Sequence, residues 1–456
     1  MFCRNSRWED DSQKRLLNYV FAGLTAVLCN IIIKPLMRLF CRNFACSAPQ
    51  KKKGKLIMQS TKFVPKILLL LFVSTLLLSA CVQSLPNTPE SSKPVATELS
   101  ASSAITEASD DNGLVITSSL ELKFAENFTV DYCEGGYKLI TIKPTGQQFL
   151  LVPQDTEPPA GLDDNITALK MPLDNILISS TPTVSLINAI GGLGHISLVT
   201  SDIDAWYIEE VKTAMQDGEI AYIGDYRAPD FEMITAAGTP FSVFSTMLSG
   251  APEVDDKLKE LEIPVMLDQS SFEKHPLART EWMKLYGAMF DLEENAEKAF
   301  NEQAAVVEEL TAKESAGKTA AVFYITSSGN IYARNAGDYI VKMLELAGGE
   351  YIMADMKPEE SGNTQMEAEA FYAAAKDADY IIYIHNMGGR PADMEAFVGI
   401  NEVLADFKAV KENNVWCTTP DFFQIAHTLG FMIKDVNTML SGNADESAYT
   451  YLFRLK

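Results

Sequence analysis

Short apolar runs alternate with helix-like patterns through the first part of the folded body. The apolar runs predict a strand pair and five further strands, at 137–143, 148–152, 175–179, 195–200, 220–223, 241–244 and 263–267. Between them, apolar residues at helical spacing predict helices at 183–190, 205–217, 230–237 and 253–262. This alternation is typical of an α/β fold, in which helices cover both faces of a mostly parallel sheet.

The longest helical pattern covers 292–313 and contains neither proline nor glycine. At 1.5 Å per residue such a helix is about 33 Å long, which suits a connector better than one more crossover. The alternation then resumes with strands and helices at 318–326, 338–347, 366–376, 379–385, 414–418 and 421–440. We therefore expect two Rossmann-like α/β lobes with central, mostly parallel sheets, joined by one long interdomain helix.

The front of the chain carries a targeting signal. Lys62 and Lys66 precede an uncharged stretch at 67–80, which is too short for a comfortable bilayer span of about 20 residues. The stretch closes on Leu-Ser-Ala before Cys81, the pattern of a lipobox whose cysteine receives the lipid. We interpret 58–81 as a lipoprotein signal peptide, with a short membrane anchor and an incidental cysteine as the alternative.

Two segments flank this signal. Residues 82–112 are rich in Ser, Thr, Pro and acid, and predict a disordered tether. Residues 1–57 are either an extra membrane helix or, as we prefer, the product of a start assigned upstream of Met58. The expected divisions of the remaining chain are 113–290 for the N-terminal lobe, 291–315 for the connecting helix and 316–456 for the C-terminal lobe.

Charge and cysteine content narrow the class of protein. The net charge is −23, but residues 1–80 carry 13 Lys and Arg against 3 Asp and Glu. A basic, apolar front before an acidic body indicates an exported protein anchored at the extracytoplasmic face of the cell membrane. The acidic body excludes a nucleic-acid partner. The body retains only Cys133 and Cys417, and whether they pair in a disulfide is left open.

Six local strings carry a resemblance to a known family. They are APDFEMI (228–234), FSTML (244–248), HPLARTEWMKLYG (275–287), RNAGDYIVKMLELAGGEYI (334–352), FYAAAKDADYIIY (371–383) and FKAVKENNVWCTTPDFFQ (407–424). Together they resemble the substrate-binding lipoprotein of an ABC importer, in the helical-backbone group that serves iron–siderophore, haem and cobalamin uptake. The resemblance implies a monomer that binds a small molecule between two rigid lobes and delivers it to a permease and its ATPase.

Loops at the carboxyl ends of the strands are the expected ligand site, because open α/β sheets bind ligands there. The candidate residues are Ser180, Thr181, Thr246, Met247, Tyr332, Arg334, Arg390, Phe422 and Phe423, with Arg227 and Trp206 behind them. Arg334 has an alternative role as the ion-pair partner of Asp338, Arg390 as a solvated turn residue, and one of the two phenylalanines as a core residue. The resemblance also implies permease docking through Glu232 and Glu369, with Glu367 close behind; ordinary solvated helix charges are the alternative.

The histidines bear on whether a metal is bound directly or inside a chelate. The chain has only His195, His275, His385 and His427, far apart in sequence, and His385 is the best single ligand candidate. We therefore favour a ferric siderophore as the ligand and expect no resident cofactor. Haem, cobalamin and a bare Zn, Mn or Fe ion remain alternatives. No GxSxG, Walker A, HExxH or GxGxxG element suggests an enzyme, and a surface interaction lipoprotein is the rival from another class.

Overall fold

A computed structural model describes residues 113–312, 315–385, 389–443 and 445–456, all within one compact unit, Ala101–Lys456. The expected leader, signal peptide, lipidation site at Cys81 and tether lie outside the described residues. Within the described ranges, no helix has both the length and the apolar composition that a membrane crossing requires.

A five-stranded sheet opens the structure. Its strands are β1 Ile116–Ser119, β2 Phe128–Cys133, β3 Lys138–Ile142, β4 Gln147–Val152 and β5 Ile166–Lys170. They lie in chain order, antiparallel except for the parallel pair β4–β5. Phe149 and Leu151 enter the main core while Leu150 and Val152 enter a second cluster on the opposite face. The predicted strand pair is confirmed as β3–β4, but β1, β2 and β5 were missed.

The second sheet is entirely parallel. Its strands are β6 Ile176–Ile178, β7 Ile196–Val199, β8 Ala221–Tyr222, β9 Ser242–Ser245 and β10 Val265–Asp268. They are ordered β10-β9-β6-β7-β8. The helices in its connections are α1 Thr181–Ala189, α2 Glu209–Gln216, α3 Phe231–Ala236 and α4 Pro252–Glu260. The predicted βα alternation is confirmed, and all five carboxyl ends lie at one edge.

Three helices lead out of this sheet. They are α5 Pro276–Glu281, α6 Met283–Met289 and α7 Glu293–Thr311. The buried residues of α7 recur every three or four positions, at Ala296, Phe300, Gln303, Val307 and Leu310, so one stripe of the helix faces the core. Its 19 residues span about 28 Å. Before α7 the chain forms two helices, α5 and α6, which are divided at Trp282.

The C-terminal lobe is built on a mixed sheet. Its strands are β11 Thr319–Ile325, β12 Ile331–Arg334, β13 Glu350–Tyr351, β14 Asn363–Met366, β15 Tyr380–Tyr383, β16 Val415–Thr418 and β17 Leu452–Arg454. The order is β14-β12-β11-β15-β16-β17, with β13 also on β11. Pairs of β11 with β13 and β15, and of β15 with β16, are parallel; β12, β14 and β17 pair antiparallel. Its helices are α8 Tyr339–Leu346, α9 Ala368–Ala375, α10 Met394–Ile400, α11 Lys408–Lys411 and α12 Leu429–Leu440.

Two buried carboxylates fasten the five-stranded sheet to the helices. Glu281 is fully buried and accepts hydrogen bonds from three successive backbone N–H groups, those of Lys123, Phe124 and Ala125, at 2.8–2.9 Å. Its charge is balanced by the buried Lys284, whose Nζ lies 3.4 Å away. Glu273 accepts from Trp282 Nε1 at 2.9 Å and from the N–H of Asn127 at 3.0 Å. The strand-to-strand link 123–127 is thus fixed by residues about 150 positions further along.

Replacing Glu281 by alanine should therefore unfold the chain at lower denaturant. Three buried N–H groups would lose their acceptor and Lys284 would lose a buried partner, so the free energy of unfolding should fall by about 3–5 kcal/mol. Urea unfolding measures this. Glu302→Ala, an exposed position on α7, is the control and should change stability by no more than about 0.5 kcal/mol. A loss below 1 kcal/mol for Glu281→Ala would contradict the assigned role.

Candidate functional site between the two lobes

The parallel sheet gathers four predicted site residues of the N-terminal lobe. Ser180 and Thr181 follow β6, and Thr246 and Met247 follow β9, the neighbouring strand. Ser180 stands at the N-cap of α1 but its side chain makes no capping hydrogen bond, so its hydroxyl is not engaged by the helix. Met247 is 61% exposed. This edge therefore offers hydroxyl groups beside an apolar side chain.

Two exposed aromatic residues at the same edge were missed. Phe272 follows β10 and is 56% exposed, and Tyr207 follows β7 and is half exposed. Because β10 lies beside β9, the loops that carry Phe272 and Met247 are neighbours, and these two exposed apolar side chains are here named the apolar platform. The carboxyl-end rule selects both loops, but sequence does not show which side chain in a loop stays uncovered.

A buried hydrogen-bond cluster holds these loops in place. Asp268, the last residue of β10, accepts from Thr183 Oγ1 at 2.7 Å, from Tyr286 Oη at 2.5 Å and from the N–H of Ser270 at 2.7 Å. Burial raises the pKa of Tyr286 well above its usual range, and the charge of Asp268 adds to this effect. Tyr286 therefore stays a hydrogen-bond donor. Through Asp268, the end of β10 is bonded both to Thr183 near the start of α1 and to Tyr286 on α6.

Two other candidates of this lobe lie elsewhere. Trp206 is only 2% exposed and its Nε1 donates to Ser201 O at 3.1 Å, so the prediction of a cleft aromatic is corrected to a core residue. Although Trp206 belongs to a loop at the sheet edge, burial of its large apolar ring in the core is favourable. Arg227 is exposed after β8, the outermost strand, and its Nε donates to Asp225 Oδ1 at 2.7 Å.

Arg334, in the C-terminal lobe, is a buried and incompletely hydrogen-bonded arginine. It ends β12 and is only 6% exposed. The expected ion pair is present, with Nη1 of Arg334 3.5 Å from Asp338 Oδ2. Asp338, however, already accepts hydrogen bonds from the N–H of Ile340, the N–H of Gly362 and the hydroxyl of Ser361. Among the described residues, Arg334 Nε has no hydrogen-bond partner. A buried cation thus keeps an unused donor.

One aromatic candidate, Phe423, lies beside this arginine, and Phe422 and Tyr332 have other partners. The Phe423 ring is half-buried and its centroid lies 5.7 Å from Arg334 Cζ. Phe422 is buried and packs edge-on against Phe423, so it is the core member of the pair. Tyr332 stacks on Tyr324 with 5.2 Å between ring centroids, and its hydroxyl donates to Gln365 Oε1 at 3.0 Å.

His385 has a fixed tautomer. Its Nδ1 lies 2.5 Å from Thr418 O, and because a carbonyl only accepts, Nδ1 carries the proton and Nε2 is the basic nitrogen. Burial lowers the pKa of His385, and the charge of Arg390 lowers it further. Arg390 itself is exposed, with its Cζ 4.1 Å from the Phe453 ring centroid.

The other histidines have structural partners. His195 Nδ1 lies 2.7 Å from Asp174 Oδ1, and His275 Nδ1 accepts from the N–H of Leu277 at the start of α5. In the described part of the chain, no group of three or more His, Cys, Asp or Glu side chains is placed to hold a metal ion. Cys133 and Cys417 lie on β2 and β16 and are not joined by a disulfide.

One glutamine shows that the carboxyl edges of the two sheets face each other. Gln424, in the loop after β16, donates from Nε2 to Ala205 O at 2.6 Å and accepts from the N–H of Tyr207 at 3.0 Å. Ala205 and Tyr207 lie in the loop after β7. The loop after β16 in the C-terminal lobe therefore contacts the loop after β7 in the N-terminal lobe, and the region around this contact is here named the interlobe surface.

The two predicted docking carboxylates are both exposed. Glu232 lies in the first turn of α3 and Glu369 in the first turn of α9, where a negative charge is favoured by the helix dipole. They belong to different lobes.

The family follows from this region of the chain. The model of the periplasmic binding protein family matches residues 200–422, which include both sides of the interlobe surface. The match confirms the resemblance over residues 200–422, which are similar to the periplasmic binding protein family. The two-lobed α/β fold agrees with it.

Similar proteins agree in length and type. Two uncharacterized lipoproteins of Methanocaldococcus jannaschii are each 24% identical, over 356 and 344 residues, covering 73% and 72% of this chain and 84% and 86% of theirs. Similar solved structures include an ABC transporter substrate-binding protein from Listeria monocytogenes (TM-score 0.46, 16% identity, 59% of this chain and 100% of that chain). Another is a periplasmic haem-binding protein from Vibrio cholerae (TM-score 0.47, 13% identity, 57% and 98%).

The histidine between the lobes should make stability pH-dependent. Burial lowers the pKa of His427 to about 4, below its usual value of about 6.5. The unfolded chain thus takes up this proton first, and the stability present above pH 6.5 is lost as the pH falls towards 4. When the pH falls from 7 to 5, protonation linked to this histidine should lower the free energy of unfolding by about 2 kcal/mol. Urea unfolding at the two pH values measures this difference.

His427→Asn is the comparison for that experiment. Asparagine keeps an acceptor near Ser185 Oγ, which lies 2.9 Å from His427 Nδ1, but does not titrate. The variant should lose about 2 kcal/mol less than the parent between the two pH values. Equal losses in both proteins would show that His427 does not titrate as the structure indicates.

Proposed function

We propose that this protein is the extracytoplasmic substrate-binding component of an ABC importer, and that it captures a ferric siderophore-type iron complex between its lobes and delivers it to the permease. The observation that carries this proposal is Arg334, a buried guanidinium with an unused donor, beside the half-buried ring of Phe423. Such a group favours a ligand that presents anionic or acceptor oxygens.

The interlobe surface suits both parts of a ferric chelate. Hydroxamate, catecholate or carboxylate oxygens around the iron are acceptors for Arg334 and Arg390 and for the hydroxyls near Ser180. The organic periphery of a chelate is largely apolar, and the apolar platform formed by Met247 and Phe272 supports it. Iron enters this account as cargo inside its chelator, and the binding protein performs no covalent chemistry.

The lobe arrangement supports a binder that closes over its ligand. α7 connects the lobes and packs on α12, so we expect closure by a small hinge motion rather than a large rotation. A ligand that touches Arg334 on one lobe and Met247 on the other favours the closed form through its higher affinity for it.

Delivery requires a partner and a location. We propose that Glu232 and Glu369, one on each lobe, dock on the permease. We also propose that a lipid on Cys81 holds the protein at the membrane, which is in keeping with the lipoprotein relatives.

Arg334 provides the direct test. Ferric hydroxamate and catecholate chelates, their iron-free forms and free Fe, Zn and Mn are titrated into the protein, and the Kd is measured by quenching of tryptophan fluorescence. Arg334→Met should weaken binding of the ferric chelate about 10- to 100-fold, because a hydrogen bond to a charged group contributes about 1.5–3 kcal/mol.

Arg454→Met is the matched control. Arg454 lies in the same lobe but donates from Nε to Asn413 O before β16, at the opposite sheet edge, so its loss should leave the Kd unchanged. Binding of free metal without binding of any ferric chelate would overturn the siderophore proposal.

Haem is the second candidate, and His385 is the observation that favours it. A histidine whose Nδ1–H is held by a backbone carbonyl has its Nε2 oriented as a metal ligand. If haem is the ligand, titration should give a shifted Soret band that His385→Ala abolishes and His195→Ala leaves intact. A Soret band unaffected by His385→Ala would remove this candidate.

A further inference from the structure

The chain between β16 and α12 departs from the helix that its sequence predicts. A single helix was expected over 421–440, but α12 begins only at Leu429. Residues 421–429, Asp-Phe-Phe-Gln-Ile-Ala-His-Thr-Leu, contain neither proline nor glycine, the residues that usually end a helix. The interruption therefore has a tertiary cause.

The interrupted segment, residues 424–428, is here named the strap, and three of its residues bond to the N-terminal lobe. Gln424 bonds to Ala205 O and to the N–H of Tyr207. Ala426 O accepts from Thr280 Oγ1 at 2.9 Å. His427 Nδ1 lies 2.9 Å from Ser185 Oγ. The segment keeps turn-type backbone bonds of its own, including a 3-10 turn at Ala426–Thr428, and these three contacts add hydrogen bonds to the other lobe.

The two ends of the strap differ in exposure. Thr280 and Ser185 are fully buried, so the contacts of Ala426 and His427 are shielded from water. Gln424 is half-buried, and its partners Ala205 and Tyr207 are exposed. Water can replace the Gln424 bonds at little cost, but it cannot reach the inner ones without separating the lobes. The contacts of Ala426 and His427 are therefore the fixed, inner contacts of the strap, and those of Gln424 are its reversible, outer contacts.

We infer that Gln424 is a positioning residue that latches the two lobes together at the edge of the interlobe surface in the unliganded protein. Gln424 directly follows Phe423, whose ring lies beside Arg334, and it binds the loop that contains Tyr207. Release of this latch frees the Phe423 turn and the Tyr207 loop together. Gln424 thereby controls entry and exit of the ligand, a consequence that rests on the proposed function, whereas the latch itself does not.

Amide hydrogen exchange of the unliganded protein tests the latch without a ligand. Gln424→Ala should speed exchange of the Tyr207 N–H about fivefold or more, the factor that corresponds to a net hydrogen bond of about 1 kcal/mol. Exchange in α12 should rise by no more than the same fivefold factor, and the urea midpoint should fall only slightly, because the inner contacts remain. Gln424→Glu keeps the acceptor for Tyr207 N–H but loses the donor to Ala205 O, so it should restore only part of the protection of Tyr207.

Gln365→Ala is the matched control, since Gln365 also lies in the C-terminal lobe but accepts from Tyr332 Oη within that lobe. It should leave Tyr207 exchange unchanged. Equal exchange of Tyr207 in the parent and in Gln424→Ala would overturn the latch, as would an equal acceleration by Gln365→Ala.

Stopped-flow binding of a ferric chelate then tests the consequence. Gln424→Ala should raise both the association and the dissociation rate severalfold, with a smaller change in Kd. Unchanged rates, with Tyr207 exchange accelerated, would overturn the control of ligand entry while leaving the latch. If no chelate binds, the proposed function fails, and the exchange result still decides the latch.

Discussion

The packing of α7 against α12 determines how the two lobes face each other. At their crossing, Gly430 lies so close to α7 that a Cβ atom there would stand 2.6 Å from Gln303 O. Only glycine permits this approach, and the buried stripe of α7 fills the remaining space. Because close-packed helices do not slide freely, the lobes are held as two bodies with a narrow range of relative motion.

The parallel arrangement of the strands then determines which loops of each lobe lie at the interlobe surface. In the N-terminal lobe every strand of the parallel sheet ends at the same edge, so hydroxyl loops and the apolar platform share one surface. In the C-terminal lobe, His385 follows the parallel strand β15, and the loop after β16 carries Phe423, whose ring lies beside Arg334. Among the described residues, the fold at this surface buries Arg334 without using all of its hydrogen-bond donors. Burial of such an incompletely bonded cation costs stability.

The strap joins these two constraints. Its inner hydrogen bonds belong to the rigid lobe contact, and its outer bonds belong to the ligand surface. A single segment of five residues therefore links the packing of the lobes to the access of a ligand. His427 within it is neutral at neutral pH, since burial lowers its pKa, so the contact carries no charge to be screened by salt.

The sequence by itself determined the local elements and the order in which they occur. Apolar periodicity located β6–β11, β15, β16 and α7, because burial of one stripe or one face leaves a period in the chain. It also located the loops after β6 and β9, and hence Ser180 and Met247. Long-range contacts decided the rest. β1, β2 and β5 form because they pair with neighbouring strands, and Glu273 and Glu281, about 150 residues further along, bond to the link between β1 and β2. Trp206 lies in the core, although its place after β7 predicted a cleft residue. The α12 start and the role of Gln424 depend on acceptors and donors in the other lobe, which no local pattern encodes.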